Sequence, residues 1–369
     1  MAQFTGGTMS AVRLDQLAVG DLLDAEVISN SSTSLRLDMG DGEIDTFTGV
    51  GFTFGSGGEP TGGTITGINV SVNGNTTLDV TGLSTSATQF YSYLPGNDNA
   101  GVLNLILSGN DNMNGSRFDD FIVGLGGHDN LFGLGGSDTL SGGAGNDHLY
   151  GQSANGGDDG ADKLSGGDGS DYLQGNAGND TLDGGEGSDR INGGANEDMI
   201  AGSGGNDTVN GNLGNDTIDG GQGNDSLRGG KGDDSIVGGD GDDVISGDLG
   251  VDKLTGGAGV DYFIFGGSSA KFANASADSI SDFQDGTDRL HVGYNPAAIL
   301  TGSAQSSFSA ATEVAQQLFE GHAGDGEVAV LAVGSDTYVF YSSTGGGTAD
   351  SAILISNLAP SAIGASDFI

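Results

Sequence analysis

From Gly109 to Phe265 the chain can be written in a single register, G-G-x-G-x-D-x-U-x, in which U is a large aliphatic residue or Phe. Gly142–Tyr150 (GGAGNDHLY), Gly166–Gln174 (GGDGSDYLQ), Gly184–Asn192 (GGEGSDRIN) and Gly220–Arg228 (GGQGNDSLR) are nearly interchangeable copies. The sixth position holds Asp111, Asp120, Asp129, Asp138, Asp147, Asp162, Asp171, Asp180, Asp189, Asp198, Asp207, Asp216, Asp225, Asp234, Asp243, Asp252 and Asp261, nine residues apart except for a step of fifteen after Asp147. The eighth position is apolar in every copy, from Met113 and Ile122 through Leu131, Leu140, Leu149, Leu164, Leu173, Leu182, Ile191, Ile200, Val209, Ile218, Leu227, Ile236, Ile245 and Leu254 to Phe263. A chain tied to this period stacks short units of one shape, each burying its core against its neighbours.

Of the chain's 74 glycines, 44 fall between Gly109 and Phe265, and most of these follow that period. Collagen is excluded because a three-residue repeat is missing and there are only 4 prolines, and a flexible linker is excluded by the recurring aliphatic column. Three residues such as Thr181–Leu182–Asp183 suffice for a short strand with one side chain pointing inward, and the other six then reverse the chain. Glycine at the first, second and fourth positions is expected where the turn needs φ > 0. Two nonapeptides make one coil, and coils stack about 4.8 Å apart, so each turn lies over the turn eighteen residues later. The aspartates therefore sort into one column containing Asp111, Asp129, Asp147, Asp171, Asp189, Asp207, Asp225, Asp243 and Asp261, and another containing Asp120, Asp138, Asp162, Asp180, Asp198, Asp216, Asp234 and Asp252. The six extra residues around Gln152–Asp158 preserve this alternation if they bulge outward.

The formal charge of −41, from 51 Asp+Glu against 10 Lys+Arg, argues against nucleic acid and anionic membranes and points to cations as partners. Between Gly109 and Phe265 there are 29 Asp+Glu and 6 Lys+Arg, so that stretch carries 6 − 29 = −23. Carboxylates in neighbouring turns, about 5 Å apart at the coil spacing, repel unless a cation separates them. Turn carbonyls complete an all-oxygen donor set, and with no Cys and no periodic His nothing suits a transition metal. Calcium fits such a set better than magnesium, because it accepts six to eight oxygens in flexible geometry. One buried aliphatic side chain per nine residues does not offset the entropy of ordering them, so the metal-free repeat is expected to be unfolded and ion binding to supply the folding free energy.

These repeats resemble the nonapeptides of RTX (repeats-in-toxin, haemolysin-type) proteins. The resemblance implies a right-handed parallel β-roll, and its open ends call for caps, giving an all-β fold with a β-rich N-terminal cap and a mixed, mainly β C-terminal cap. It also implies ligation of multiple calcium ions by the sixth-position aspartates and by backbone carbonyls of turn residues such as Gly127, Gly136, Gly145, Gly160, Gly169, Gly178, Gly187, Gly205, Gly214, Gly223, Gly232, Gly241 and Gly250. Export through a bacterial type I ABC transporter is a further implication. Phe118 and Asn196 replace the fourth-position glycine, which puts calcium occupancy of those two turns in question, and the leading pairs Gly124–Leu125 and Gly202–Ser203 also depart from the pattern.

The expected domains are residues 1–108, an N-terminal β-rich cap; 109–265, the calcium-binding roll; and 266–369, a C-terminal cap with a type I secretion signal. In the first, Thr64–Val72, Thr77–Val80 and Val102–Leu107 alternate like strands, and Gly42–Gly58 reads as turn chemistry rather than a binding loop. In the last, Ala277–Phe283 and Asp288–Val292 resemble the cap behind the rolls of serralysin-type proteases. Ser309–Phe319 has helical spacing at Ala311, Val314, Ala315 and Leu318; Val328–Val333 and Thr337–Tyr341 form a hairpin, and Ala352–Ile355 a further strand. The ending Ser366-Asp-Phe-Ile369 resembles an uncleaved export signal and is also compatible with a last cap strand. The stretch MAQFTGGTMSAVRLDQLAVG lacks the basic flank and continuous apolar run expected of a secretory signal, and no apolar run approaches membrane length.

No H-E-x-x-H or G-x-S-x-G motif occurs, and His128, His148, His291 and His322 are isolated, so no catalytic residue is assigned. Two readings follow. The first is a secreted, non-enzymatic calcium-binding protein, structural or adhesive at or near the cell surface, whose partners are calcium, the export machinery and a surface polysaccharide or other cell-surface component. The second is a calcium-stabilised secreted hydrolase or lyase with its site outside the calcium columns.

Overall fold

The computed structural model describes residues 3–6, 26–30, 34–40, 43–54, 60–72, 75–86, 109–115, 119–152, 160–266, 277–321, 326–342 and 349–369. They form two compact units, Met1–Thr181 and Leu182–Ile369. Val102–Leu107, Phe118, His322 and most of the insertion after Gln152 lie outside the described residues.

In the first unit, Glu26–Asn30, Ser34–Gly40, Glu43–Phe54, Pro60–Val72 and Asn75–Ser86 form an antiparallel meander. Asn75–Ser86 also pairs with Gln3–Gly6, which in turn runs parallel to Asn112–Asn114 and sets Phe4 in register with Met113. Gln3–Gly6, backed by the meander, therefore covers the first edge of one of the roll's two sheets, whose amides would otherwise be open to another chain. One expectation fails here. Gly42–Gly58 is mostly strand, because Glu43–Phe54 is paired on both sides. Its Ile44, Thr46, Thr48, Val50, Phe52 and Phe54 recur at the strand period of two, a signal masked by the surrounding glycines.

Past Gly109 successive nonapeptides feed two parallel sheets in turn. Asn112–Asn114, Asn130–Leu134, His148–Gln152 and Tyr172–Ala177 lie in one; Phe121–Gly126, Thr139–Ala144 and Lys163–Asp168 lie in the other. Leu149 is in register with Leu131 on one side and Leu173 on the other, and Leu140 with Ile122 and Leu164. The six-residue insertion thus leaves the alternation intact, as the sequence implied.

The second unit repeats the pattern. Arg190–Ala195, Thr208–Leu213, Ser226–Lys231, Val244–Leu249 and Tyr262–Ile264 alternate with Met199–Gly204, Thr217–Gln222, Ser235–Asp240 and Lys253–Ala258. All the eighth-position residues are 0–2 % exposed and form the core of this right-handed parallel β-roll.

The strands are longer than the three residues expected. Thr217–Gln222, for example, keeps its pairing through the first three positions of the next repeat, Gly221 against Gly239 and Gln222 against Asp240. First-position glycines bring no side chain to separate the coils there, so hydrogen bonding continues past the core residue and only about three residues are left to turn.

Two non-repeat strands close the roll. Asp278–Ile280 pairs with Lys253–Ala258, and Arg289–His291 with Tyr262–Ile264. Beyond them the expected helix runs over Phe308–Gly321, burying Ala311, Ala315 and Phe319, with Val314 and Leu318 partly buried beside them. It packs on Ala329, Leu331, Phe340 and Ala352 of the antiparallel set Glu327–Val333, Asp336–Tyr341 and Ser351–Ile355. This cap has an ordinary hydrophobic core, unlike the single-file core of the roll. Phe368 bridges to Leu290, and the Ile369 N–H donates to the Leu290 carbonyl at 3.1 Å. The last residues thus do form a cap contact.

Candidate metal centre

Each sixth-position aspartate ends a turn, Gly-x-Asp in all but Asp120 and Asp198, and all seventeen are 0–3 % exposed. Their burial follows from the repeat. The turn is too tight to swing outward, and the next coil covers it.

Along the columns, three of the four polar groups of an aspartate such as Asp129, Asp147, Asp207 or Asp234 are used to stack coils. In the first unit the Asp111 N–H donates to Asp129 Oδ1 at 2.7 Å, Asp129 to Asp147 at 2.8 Å and Asp147 to Asp171 at 2.7 Å. The other column continues the same way from Asp120 to Asp138, Asp162 and Asp180. In the second unit one column runs through Asp189, Asp207, Asp225, Asp243 and Asp261, and the other through Asp198, Asp216, Asp234 and Asp252. The aspartate carbonyls accept from the residue after the next aspartate in the column, as from Thr139 to Asp120 at 2.8 Å. The ladder therefore uses N–H, C=O and Oδ1, and Oδ2 is not one of its members.

The Oδ2 atoms of Asp129, Asp147, Asp207, Asp216, Asp225, Asp234, Asp243, Asp252 and Asp261 are buried without a hydrogen-bond partner. A buried carboxylate oxygen left unpaired is costly unless the group is protonated or faces a cation. Burial accordingly pushes the carboxyl of Asp129 up to about 8 and those of Asp234 and Asp252 to about 7, against the ladder hydrogen bond, which lowers each. Asp180, Asp207, Asp225, Asp243 and Asp261 rise to about 6 for the same reason. Neighbouring carboxylates in the columns add to the rise, for example Asp147 and Asp111 around Asp129.

First-position glycines are required by this oxygen. Contrary to expectation, they do not adopt positive φ. A Cβ on Gly124 would overlap Asp129 Oδ2 and come within 2.6 Å of the Gly142 carbonyl oxygen, and one on Gly220 would crowd Asp225 Oδ2 and Gly238 O in the same way. Carboxylate oxygen and next-coil carbonyl thus border one small space that a side chain would fill.

Second- and fourth-position glycines do take positive φ, as expected, for instance +106° at Gly143 and +134° at Gly145. The exceptions keep the same backbone: Leu125, Leu134, Asn176, Ser203, Asn212 and Asp248 lie at φ from +68° to +84°. Asn196, whose turn looked suspect, adopts φ +84°, and its carbonyl lies beneath Gly214 where a glycine carbonyl lies in other turns. Asn enters this region at small cost. The fourth-position carbonyls are stacked along the turns, and the one at Gly136 already accepts from Gly160 at 2.8 Å.

We expect Gly145→Ala to weaken its turn by about 1–3 kcal/mol, since the left-handed backbone and the collision with Gly127 O are both penalised. The calcium midpoint for folding should rise in that variant. Asn196→Gly should leave it nearly unchanged.

The fifth position, variable in sequence, forms a second ladder that runs the opposite way. Asn110 Oδ1 accepts from His128 N–H at 3.0 Å, His128 Nδ1 from Asn146 at 2.7 Å, and Asn146 Oδ1 from Ser170 at 3.1 Å. Asn206, Asn224 and Asp242 do the same in the second unit. His128 is thus a ladder member, while His148 lies edge-on to Tyr172 and His291 Nδ1 meets the Ile369 carbonyl oxygen at 2.7 Å. Enrichment in Asn, Asp and Ser was the only signal for this ladder.

Among the described residues no three His, Cys, Asp or Glu side chains converge on one point. An ion in these turns would take a small share of its oxygens from carboxylates and the rest from the main chain. That suits a hard cation of high coordination number and not a thiolate- or imidazole-binding metal.

The model of the RTX calcium-binding nonapeptide repeat matches residues 107–140, 132–155, 156–191, 192–227, 219–254 and 228–263. No curated protein matches the chain. Among solved structures it is similar to a subunit of the Azotobacter vinelandii mannuronan C5-epimerase, at 23% identity over 50% of this chain and 80% of that one, with a TM-score of 0.21. Across residues 107–263, then, this chain carries the nonapeptide repeats of RTX proteins, and the repeats bind multiple calcium ions.

Proposed function

We propose that the protein is a secreted, non-enzymatic scaffold, structural or adhesive at or near the cell surface, that folds when extracellular calcium fills its turns. Sixth-position Oδ2 atoms and turn carbonyls hold the ions, and type I machinery exports the chain before it folds. The observation that carries this reading is the set of buried, unpartnered Oδ2 atoms along both columns. Bound calcium would supply the positive charge those oxygens lack, while the ladder fixes the other carboxylate oxygen so that Oδ2 faces the turn. The non-enzymatic part is supported by the use of the roll's aspartates, which are committed to stacking coils rather than paired across a cleft.

Submicromolar calcium, as inside a cell, leaves such sites empty, whereas extracellular modules bind at about 10⁻⁴–10⁻³ M. Limited proteolysis tests this. Residues 109–265 should be cut readily at submicromolar calcium and resist at a few millimolar, with magnesium failing to substitute. Resistance already at submicromolar calcium would overturn folding after export. Co-expression with a type I transporter should place the chain in the medium; retention in the cells would remove that part of the proposal.

A further inference from the structure

We infer that the calcium-binding column extends one rung past the last repeat, to Asp278, while its companion column ends at Asp288 without a metal. This rests on the reading above, in which Oδ2 of the repeat aspartates faces calcium.

Neither residue is in the repeat register. Asp278 lies 26 residues after Asp252, and Asp288 lies 27 after Asp261. Pairing nevertheless puts both in sixth-position places. Ser279 is in register with Lys253, and Arg289 with Tyr262, so Asp278, the first residue of its strand, and Asp288, just before its own, stand in line with Asp252 and Asp261. The ladder bonds are also present. Asp252 N–H donates to Asp278 Oδ1 at 3.0 Å and Asp261 N–H to Asp288 Oδ1 at 3.2 Å; Ser279 and Arg289 donate to the Asp252 and Asp261 carbonyls at 2.8 and 2.7 Å.

The two differ at the second oxygen. Asp288 Oδ2 accepts the Gln284 N–H at 2.7 Å, while its Oδ1 accepts the Asp261 N–H. That carboxylate is satisfied by protein. Asp278 is 1 % exposed, and its Oδ2 has no hydrogen-bond partner. The charged groups bearing on this region are carboxylates: Asp233 acts on Asp278, and Asp233, Asp248 and Asp278 act on Asp252, whose own Oδ2 is unpartnered. A buried carboxyl group with Oδ1 in the ladder and Oδ2 without a hydrogen-bond partner, stacked on another of the same kind, is the arrangement also found at Asp216, Asp234 and Asp252 of the same column. Directly after it, Asp282 accepts from Gly256 and Gly257 N–H at 2.9 and 2.8 Å, taking the place of main-chain acceptors from a further coil.

The test counts calcium per full-length chain by native mass spectrometry. Asp278→Asn keeps an oxygen for the Asp252 N–H and should hold one ion fewer than the unsubstituted protein, whereas Asp288→Asn should hold the full number. An undiminished count in D278N overturns the inference. Asp216→Asn, within the repeats, separates this from failure of the parent reading: no loss there means that the repeat Oδ2 atoms are not ligands at all. If hydrogen exchange over Ser351–Ile355 shows that D278N has lost its cap, the unsubstituted protein crystallised with terbium decides. An anomalous peak beside Asp278 supports the site, and peaks at repeat aspartates with none at Asp278 overturn it.

Discussion

Removing calcium with excess chelator should abolish amide hydrogen-exchange protection throughout the repeat strands while leaving the C-terminal strands Glu327–Val333, Asp336–Tyr341 and Ser351–Ile355 protected. The roll has one core side chain per nine residues, and each aspartate in its turns places an ionisable group in a buried site. Without a cation those groups must be protonated or hydrated, and either route opposes coil stacking. The cap has Leu331, Phe340, Phe319 and Ala352 packed around a helix and needs no ion for its core. Circular dichroism should lose most of its β signal, and readdition of millimolar calcium should restore it. An exchange pattern unchanged after exhaustive chelation would falsify the role given to the metal.

Acidity should affect the calcium-free and calcium-loaded chains in opposite directions. The carboxyls of Asp129, Asp234 and Asp252 are raised in the folded state to about 8, 7 and 7, and several others to about 6, from an ordinary value near 4. A carboxyl with a raised folded-state value stabilises the fold only while protonated. That contribution is fully present below about pH 4 and is lost as pH climbs through 6 to 8. The metal-free roll should therefore gain structure on acidification. Calcium binding needs the ionised form, so protons compete with it, and the calcium midpoint should rise by up to about tenfold per pH unit at the most shifted sites. Calcium titrations followed by circular dichroism at pH 5.5 and 8.0 would show this. A midpoint independent of pH would mean that the buried carboxylates do not bind the ion in their ionised form.

Much of this molecule can be read from spacing alone. A period of nine with an aliphatic residue two places after each aspartate is enough to locate the single-file core, and Met113 through Phe263 are buried as that column requires. The helix and hairpin of the cap follow from local periodicity for the same reason. What spacing hides are relations between coils. The demand for glycine at the first position comes from Asp Oδ2 and a carbonyl one coil away, not from its own dihedral angles. The fifth-position ladder tolerates Asn, Asp, Ser and His because each offers an acceptor, and that tolerance looks like variability. Asp278 and Asp288 could not be found by counting, since the chain between repeat and cap lengthens the step from 18 to 26 and 27 while the pairing stays the same. The glycines of Gly42–Gly58 suggest turns, whereas strand partners on both sides of Glu43–Phe54 decide its conformation.

A stack of near-identical coils has no intrinsic reason to stop, and an end like any other coil would serve as a template for a second molecule. Asp282 opposes that by accepting from the Gly256 and Gly257 N–H groups, which would otherwise be open to carbonyls of a neighbouring chain's coil. The object is therefore finite by sequence. However much calcium is supplied, ions can lengthen the ordered part of one chain but cannot make it grow into a fibre from that end.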